Sequence, residues 1–567
     1  MINYKRIFFF IFICTGFTIS FCEEIELYPK YKVYVGPGRW RNIPPKKGVD
    51  FAKLNSETID NLIDGASSSE IKSLLSSYID NTEKICQEKG WLSDELKDWF
   101  SNNSKIREAF FQSLDPVYDN IPKAIKIFEE LKNLSESKIK TYYHLAIAIA
   151  IVWDNDDAIT SSRFECIWGF QNNQFQELQS YTAIYEYFTK RSIQSSLKFK
   201  PDKLRWPLLV HMVDMDISAE EMKWALKTKS KYKNSVDKAY SLIKYDYQKL
   251  STKTPNIGNR PYTLQNILQY NGICGDQAHF SSRLGKTFGI PAMKVSGDGR
   301  YGGAHAWLGY LVASKGAPKL VFSGRYRGDM YYTGDVFDPQ TRTSILERHV
   351  AMMYEGASSA YSKYIESIVL ARIAKYYRDE EPAASYALSK EAVERNHFSK
   401  PAWDILFWHL SKEGIEIKEV LKIMNDLFKD LKYHPDVTFE GIQILLKRFE
   451  QDDIKNKEKY INKVLPLYKN RPDLQIKLRK LQCENLKDTG NALKTIQIAL
   501  KTCLSNTEES TLILPLIKTI VDITLEKKVE RKVKPYLQKI EAKFPKKRGN
   551  TTSKAYLKLK EIIAPVI

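Results

Sequence analysis

A chain of 567 residues is longer than a single hydrophobic core usually serves, so roughly two to four domains are expected. Hydrophobic residues at 43%, aromatics at 12% and charged residues at 27% supply ample material for packed cores and exclude a disordered chain. The net charge of +19 is spread along the sequence, with no basic stripe, so nucleic acid is not expected as a partner and a solvated lysine-rich surface is the plain reading.

Lys5 and Arg6 precede the apolar run IFFFIFICTGFTISF and the acidic pair Glu23 and Glu24, which is the pattern of an export signal over residues 1–22. The run is shorter than the roughly 20 residues a spanning helix needs, which favours cleavage over a membrane anchor. Ser20-Phe21-Cys22 can serve as the cleavage site; Cys22 also admits lipidation, although Phe21 is bulky for that signal. The chain is therefore expected to be secreted or held in the periplasm or cell envelope, where anionic envelope polymers are natural contacts for basic residues. LAIAIAIVW at 145–153, the longest later apolar run, is too short to span a bilayer and reads as a buried element.

Residues 23–250 read as a mainly α-helical region. YVGPGRWRNIPPKKG forms an extended lead-in, and helical periodicity then begins. SSEIKSLLSSYID carries apolar residues at helical spacing, Ser93 is placed to cap the helix of SDELKDWF, and Ser218 with Glu221 forms a capping box.

Between residues 251 and 350 glycines become frequent and apolar residues alternate with a period of two, so a mixed helix-and-sheet unit starts here. In NGICGDQAHFSSRLGKTFGIP, Cys274 precedes an amphipathic stretch bearing Ala278, Ser281, Leu284 and Phe288 on one face, closed by Gly289 and Pro291. A cysteine at a helix start faces unpaired amides and the positive dipole end, which lower its pKa and yield a nucleophile, and a buried apolar cysteine is the equally open alternative for this segment taken alone. His305 opens a strand in which Trp307, Gly309 and Leu311 share its face, below a glycine-rich loop; such a histidine is suited to general base and then general acid work. GDVFDPQT is a short strand ended by Asp338-Pro339. Asp338 can orient the imidazole, and Asp335 competes with it from the opposite face of that strand.

Five cysteines follow the signal. Joining Cys86 to Cys166 and Cys483 to Cys503 leaves Cys274 free, and a fully reduced set is equally open. No Cys-x-x-Cys or His-x-x-x-His pair occurs, so neither structural metal nor a cofactor is expected.

A cysteine in GICGDQA, GIPA after its helix, a histidine in HAW and an aspartate in DP, in that order, resemble the transglutaminase-like core of the papain-type cysteine enzyme superfamily. The resemblance is to the secreted bacterial type with long helical flanks, and it covers under a fifth of the chain. It implies a helix bearing the cysteine packed on an antiparallel sheet, with Cys274 as nucleophile, His305 as base and Asp338 as orienting acid. The spacing of 33 positions from His305 to Asp338 exceeds the usual compact spacing, with SKGAPKLVFSGRYRGDMYYTG filling the gap. The backbone N–H of Cys274 is a natural oxyanion donor, with Gln265, Gln269 or Asn271 as side-chain alternatives.

Residues 351–567 return to helix. In SYALSKEAVERNHFSKPAWDIL, Ala387 and Ala392 permit close helix approach, and Asn396 with Pro401 marks the turn before Trp403, resembling a tetratricopeptide-type unit. The expected whole is an α+β chain in which a solenoid-like α-helical region follows the core. Its expected activity is acyl transfer or hydrolysis on a protein or peptide substrate, as a cysteine protease or amidase or a protein-glutamine acyltransferase. The competing expectation is a catalytically silent core whose helical repeats hold a protein partner.

Overall fold

The computed structural model describes residues 32–34, 40–42, 56–64, 67–155, 179–252, 254–298, 304–325, 333–548 and 551–567. The export signal with Cys14 and Cys22, the partner cysteine Cys166 and most of the glycine-rich loop before His305 lie outside them. The fold is α+β: helices dominate, around one small five-stranded antiparallel sheet.

The N-terminal helices form where the caps and periodicity direct. Ser67 and Glu70 close a capping box on Ser68–Glu88, and Ser93 Oγ accepts from the Leu96 amide at 3.1 Å. Ser218 and Glu221 close the second capping box at 2.9 and 3.3 Å. The apolar run at 145–153 lies in the helix Glu136–Trp153, whose Leu145–Val152 stretch is fully buried between Ile121–Leu134 and Trp206–Val213. It is apolar all round because protein surrounds it. No helix among the described residues is long and apolar enough to cross a membrane.

The sheet follows the order 319–323, 304–312, 292–298, 334–337, 344–346, every pair antiparallel. Its central register sets His305 opposite Gly297, Ala306 opposite Ser296 and Trp307 opposite Val295. The helix Cys274–Thr287 lies across the two middle strands, and Gly285 allows the approach: a Cβ there would stand 3.1 Å from that of Ala292. Strand alternation then puts Ala292, Leu308 and Ala306 toward this helix, and His305 and Trp307 on the other face.

Helices resume at Glu347 and pack on their neighbours to the end of the chain. At the turn after Pro382–Arg395, Asn396 Oδ1 accepts from the Phe398 amide at 2.9 Å and Trp403 Nε1 donates to the His397 carbonyl at 2.8 Å. Buried side chains form one continuous cluster from Leu62 to Leu478 and a second from Ile476 to Val566. The second cluster holds Cys483 and Cys503 as buried free thiols where the sequence suggested a disulfide; Cys86 is also free and buried.

Candidate active site

The start of the Cys274 helix is pinned from several sides. Gly272 bonds across to a neighbouring segment, its N–H donating to Lys244 at 3.1 Å and its carbonyl accepting from Asp246 at 2.8 Å. Asp276, in the first helical turn, accepts from the Ile273 amide at 2.7 Å, from Tyr262 Oη at 2.8 Å and from Lys249 Nζ at 2.9 Å. Lys249 and Asp276 are almost wholly buried, so each charge relies on the other. A Cβ at position 272 would stand 2.4 Å from that of Asp276, so this cap needs glycine there. At the helix's far end Arg283 grips Asp216 with two bonds of 2.7 and 2.6 Å, and Lys286 meets Asp214 at 2.5 Å. Burial opposes ionisation of Asp216, yet the Arg283 guanidinium holds its carboxyl well below the usual range.

Cys274 is only 8% exposed. Burial pushes its thiol pKa up, and the amide N–H groups of Ala306 and Gly275, which favour the thiolate, recover only part of the shift. This corrects the sequence expectation of a lowered pKa: the helix-start amides act as anticipated, and desolvation outweighs them. The Ala306 contact has a topological cause. The pairing of strand 304–312 with strand 319–323 ends at Leu308 and Ser323, which leaves that edge of Ala306 open to other partners. Its N–H favours the Cys274 thiolate, and its carbonyl accepts from Tyr240 Oη at 2.7 Å.

His305, next along the chain, is 4% exposed, and its Nε2 lies 2.9 Å from the Gly324 carbonyl. A carbonyl only accepts, so Nε2 carries a proton, and a neutral ring in this orientation has its lone pair on Nδ1. Trp307 walls the ring at 5.7 Å between centroids and donates to Glu347 Oε2 at 2.6 Å, while Arg325 covers the indole face and pairs with the same carboxylate. Gly324 has φ +98°, and a Cβ there would stand 2.7 Å from the Tyr240 ring, so conformation and space both demand glycine.

Asp338 is placed differently. Its Oδ1 accepts from the amides of Gln340 and Thr341 at 2.8 and 2.9 Å, shaping the turn that returns the chain as strand 344–346. Burial pushes this carboxyl up, the turn amides opposing. Asp335 pairs in register with Ser296 and Leu346. Both aspartates line a cavity whose wall includes neither Cys274 nor His305.

The structure therefore sets Cys274 against the sheet face of Ala306, turns His305 to the opposite face of the same strand, and gives Asp338 to its own turn. Of the suggested oxyanion donors, Gln265 stands on the helix Leu264–Tyr270 ahead of Cys274, with its Oε1 buried and unbonded among the described residues. Gln269 is exposed, and Asn271 takes left-handed backbone at φ 69°. Gly324 and Tyr240 were missed from the sequence; the only signal was a glycine directly after the apolar strand KLVFS, in a stretch that read as filler. No group of three or more His, Cys, Asp or Glu side chains among the described residues is placed to hold a metal ion. The chain matches no family model, no curated protein and no solved structure.

Proposed function

We propose that the chain is an exported thiol acyl-transfer enzyme with a transglutaminase-like core, in which Cys274 is the nucleophile and His305 its base. The supporting observation is the packing of the Cys274 helix on strand 304–312, which carries an imidazole tethered through Nε2. In this reading Nδ1 takes the thiol proton as sulfur attacks an amide carbonyl, and the imidazolium then protonates the departing amine. A thioester remains, which water or a primary amine resolves. The Gly324 carbonyl does the orienting work that the sequence pattern gave to Asp338, and Asp338 serves its turn. The raised thiol pKa suits a neutral resting pair in which the proton moves during attack. The substrate is a protein or peptide amide, and the helices after residue 351, read as a solenoid-like repeat array, select it; the basic surface suits anionic envelope polymers.

A second reading is favoured by the burial of Cys274 and by His305 projecting from the sheet face opposite the Cys274 helix: a silent core whose helical flanks bind a partner. Iodoacetamide labelling of Cys274 across pH, in wild type and in His305→Ala, separates the two. Slower labelling in His305→Ala, together with amine incorporation or peptide release that Cys274→Ala abolishes, supports the enzyme. Labelling indifferent to His305, with no turnover on peptide libraries with or without added amines, leaves the binding protein.

A further inference from the structure

Asp335 and Asp338 line a cavity of about 550 Å³, a size within the roughly 300–1,000 Å³ of small-molecule sites. It lies where the helix Trp206–Val213, the end of strand 334–337 and the helices Glu347–Ser359, Tyr361–Tyr377, Lys400–Leu410 and Pro435–Arg448 meet. We propose that this cavity binds a small organic cation, an ammonium group carried on an apolar or aromatic body.

Three features carry the assignment. The walls bear more acid than base: Asp115, Asp335, Asp338, Asp404 and Glu440 stand against Arg372, Lys375 and Lys400. His349 also lines the cavity and faces Glu440 at 3.1 Å. Two of the cations are committed, Arg372 to Asp115 and the backbone of 112–114, and Lys400 to Asp404 and Glu440. Neither is placed to capture an anionic ligand.

Second, His211 is 3% exposed, lines the cavity, and its Nδ1 has no hydrogen-bond partner among the described residues. Burial and then nearby Lys286 push its pKa down to about 3, so the ring is neutral at physiological pH and can accept from an ammonium N–H. A buried unpaired ring nitrogen is costly, and a ligand that satisfies it recovers that cost on binding. Third, much of the remaining wall is apolar and aromatic. Trp206, Tyr354 and Tyr364 face Val350, Met353 and Ile405, and the His211 ring lies 6.0 Å from that of Tyr354. Aromatic faces attract cations, most strongly where water is excluded.

The test is isothermal titration of the full chain with three probes of one shape: phenethylammonium, 2-phenylethanol and phenylacetate. Phenethylammonium is expected to bind at least about tenfold tighter than the alcohol, with no binding of the carboxylate. His211→Phe, which keeps an aromatic ring and removes the acceptor, is expected to weaken the ammonium about tenfold. Asp335→Asn alters an exposed side chain, and is expected to weaken the ammonium severalfold and leave the alcohol unchanged. Cys274→Ala is expected to bind as wild type does, so the result stands apart from the proposed chemistry. The proposal is overturned if the alcohol or the carboxylate binds as well as the ammonium, if no probe binds at millimolar concentration, or if Asp335→Asn leaves ammonium binding unchanged.

Discussion

Replacing Asp276 by Ala removes the group on which the start of the Cys274 helix depends. Its carboxylate accepts from the Ile273 amide, from Tyr262 and from Lys249. Lys249 is 1% exposed, so Asp276→Ala strands a buried ammonium, which costs about 3–5 kcal/mol. Loss of the cap on Ile273 adds about 1 kcal/mol. The expected local loss is therefore about 4–6 kcal/mol. Buried side chains form two clusters, so the informative readout is site-resolved hydrogen exchange over residues 244–276. Those amides should lose protection, while helices packed in the second cluster, such as Ser510–Glu526, keep theirs. Lys249→Met combined with Asp276→Ala removes the stranded charge as well, and should recover most of the loss. If Asp276→Ala costs less than about 1 kcal/mol, or if the second substitution recovers nothing, the pair does not hold this helix start.

Three more outcomes are expected. Gly324→Ala forces a side chain onto φ +98° and into the Tyr240 ring, and should cost about 1–3 kcal/mol while cutting any turnover that depends on His305 far more than Asp338→Asn does; equal effects in a peptide-release assay refute the carbonyl as orienter. Burial raises the Cys483 thiol to about 12 and pushes Cys503 up too, so both are neutral when folded; the unfolded thiols ionise first, and urea stability of the 476–566 cluster should fall from pH 9 toward 12, a slope that Cys483→Ala with Cys503→Ala flattens. Burial raises Asp154 to about 7 beside the likewise raised Asp119; the unfolded carboxyl loses its proton first, so the stability this proton carries is complete below about pH 4 and is lost as pH rises through 7, and thermal melts of Asp154→Asn should lack that fall.

Much of this was legible because local rules and tertiary packing agree. The Ser218 and Glu221 capping box, the Cys274 helix start and the strand that His305 opens all follow from short-range patterns that the packing then uses. Asp338 shows where that reading stops. An aspartate before proline at a strand end has two uses, orienting a distant ring or holding its own turn, and only the fold decides between them; here the amides of Gln340 and Thr341 sit two and three residues away and take it. Gly324 was illegible for the converse reason. Its contribution is a main-chain carbonyl, which every residue type possesses, so only its positive φ distinguishes it. A helix start can be read from sequence, whereas the depth at which Cys274 is buried, which raises its pKa, cannot.

The orienting group bears on how the proposed chemistry responds to pH. A carboxylate bonded to the far nitrogen of an imidazole stabilises the imidazolium, and so promotes a resting thiolate–imidazolium pair. A carbonyl fixes the tautomer without supplying a full charge, and burial further opposes separated ions. In the proposed site Cys274 therefore rests as a thiol. Alkylation of Cys274 should be slow at neutral pH and climb steadily as pH approaches and passes the ordinary thiol range, because the folded pKa lies above it. An activated ion pair predicts the opposite, a plateau of fast labelling already reached near pH 6. Following iodoacetamide incorporation at Cys274 by mass spectrometry from pH 5 to 10 distinguishes the two curves, and a low-pH plateau would show that a charged partner, not the Gly324 carbonyl, governs His305.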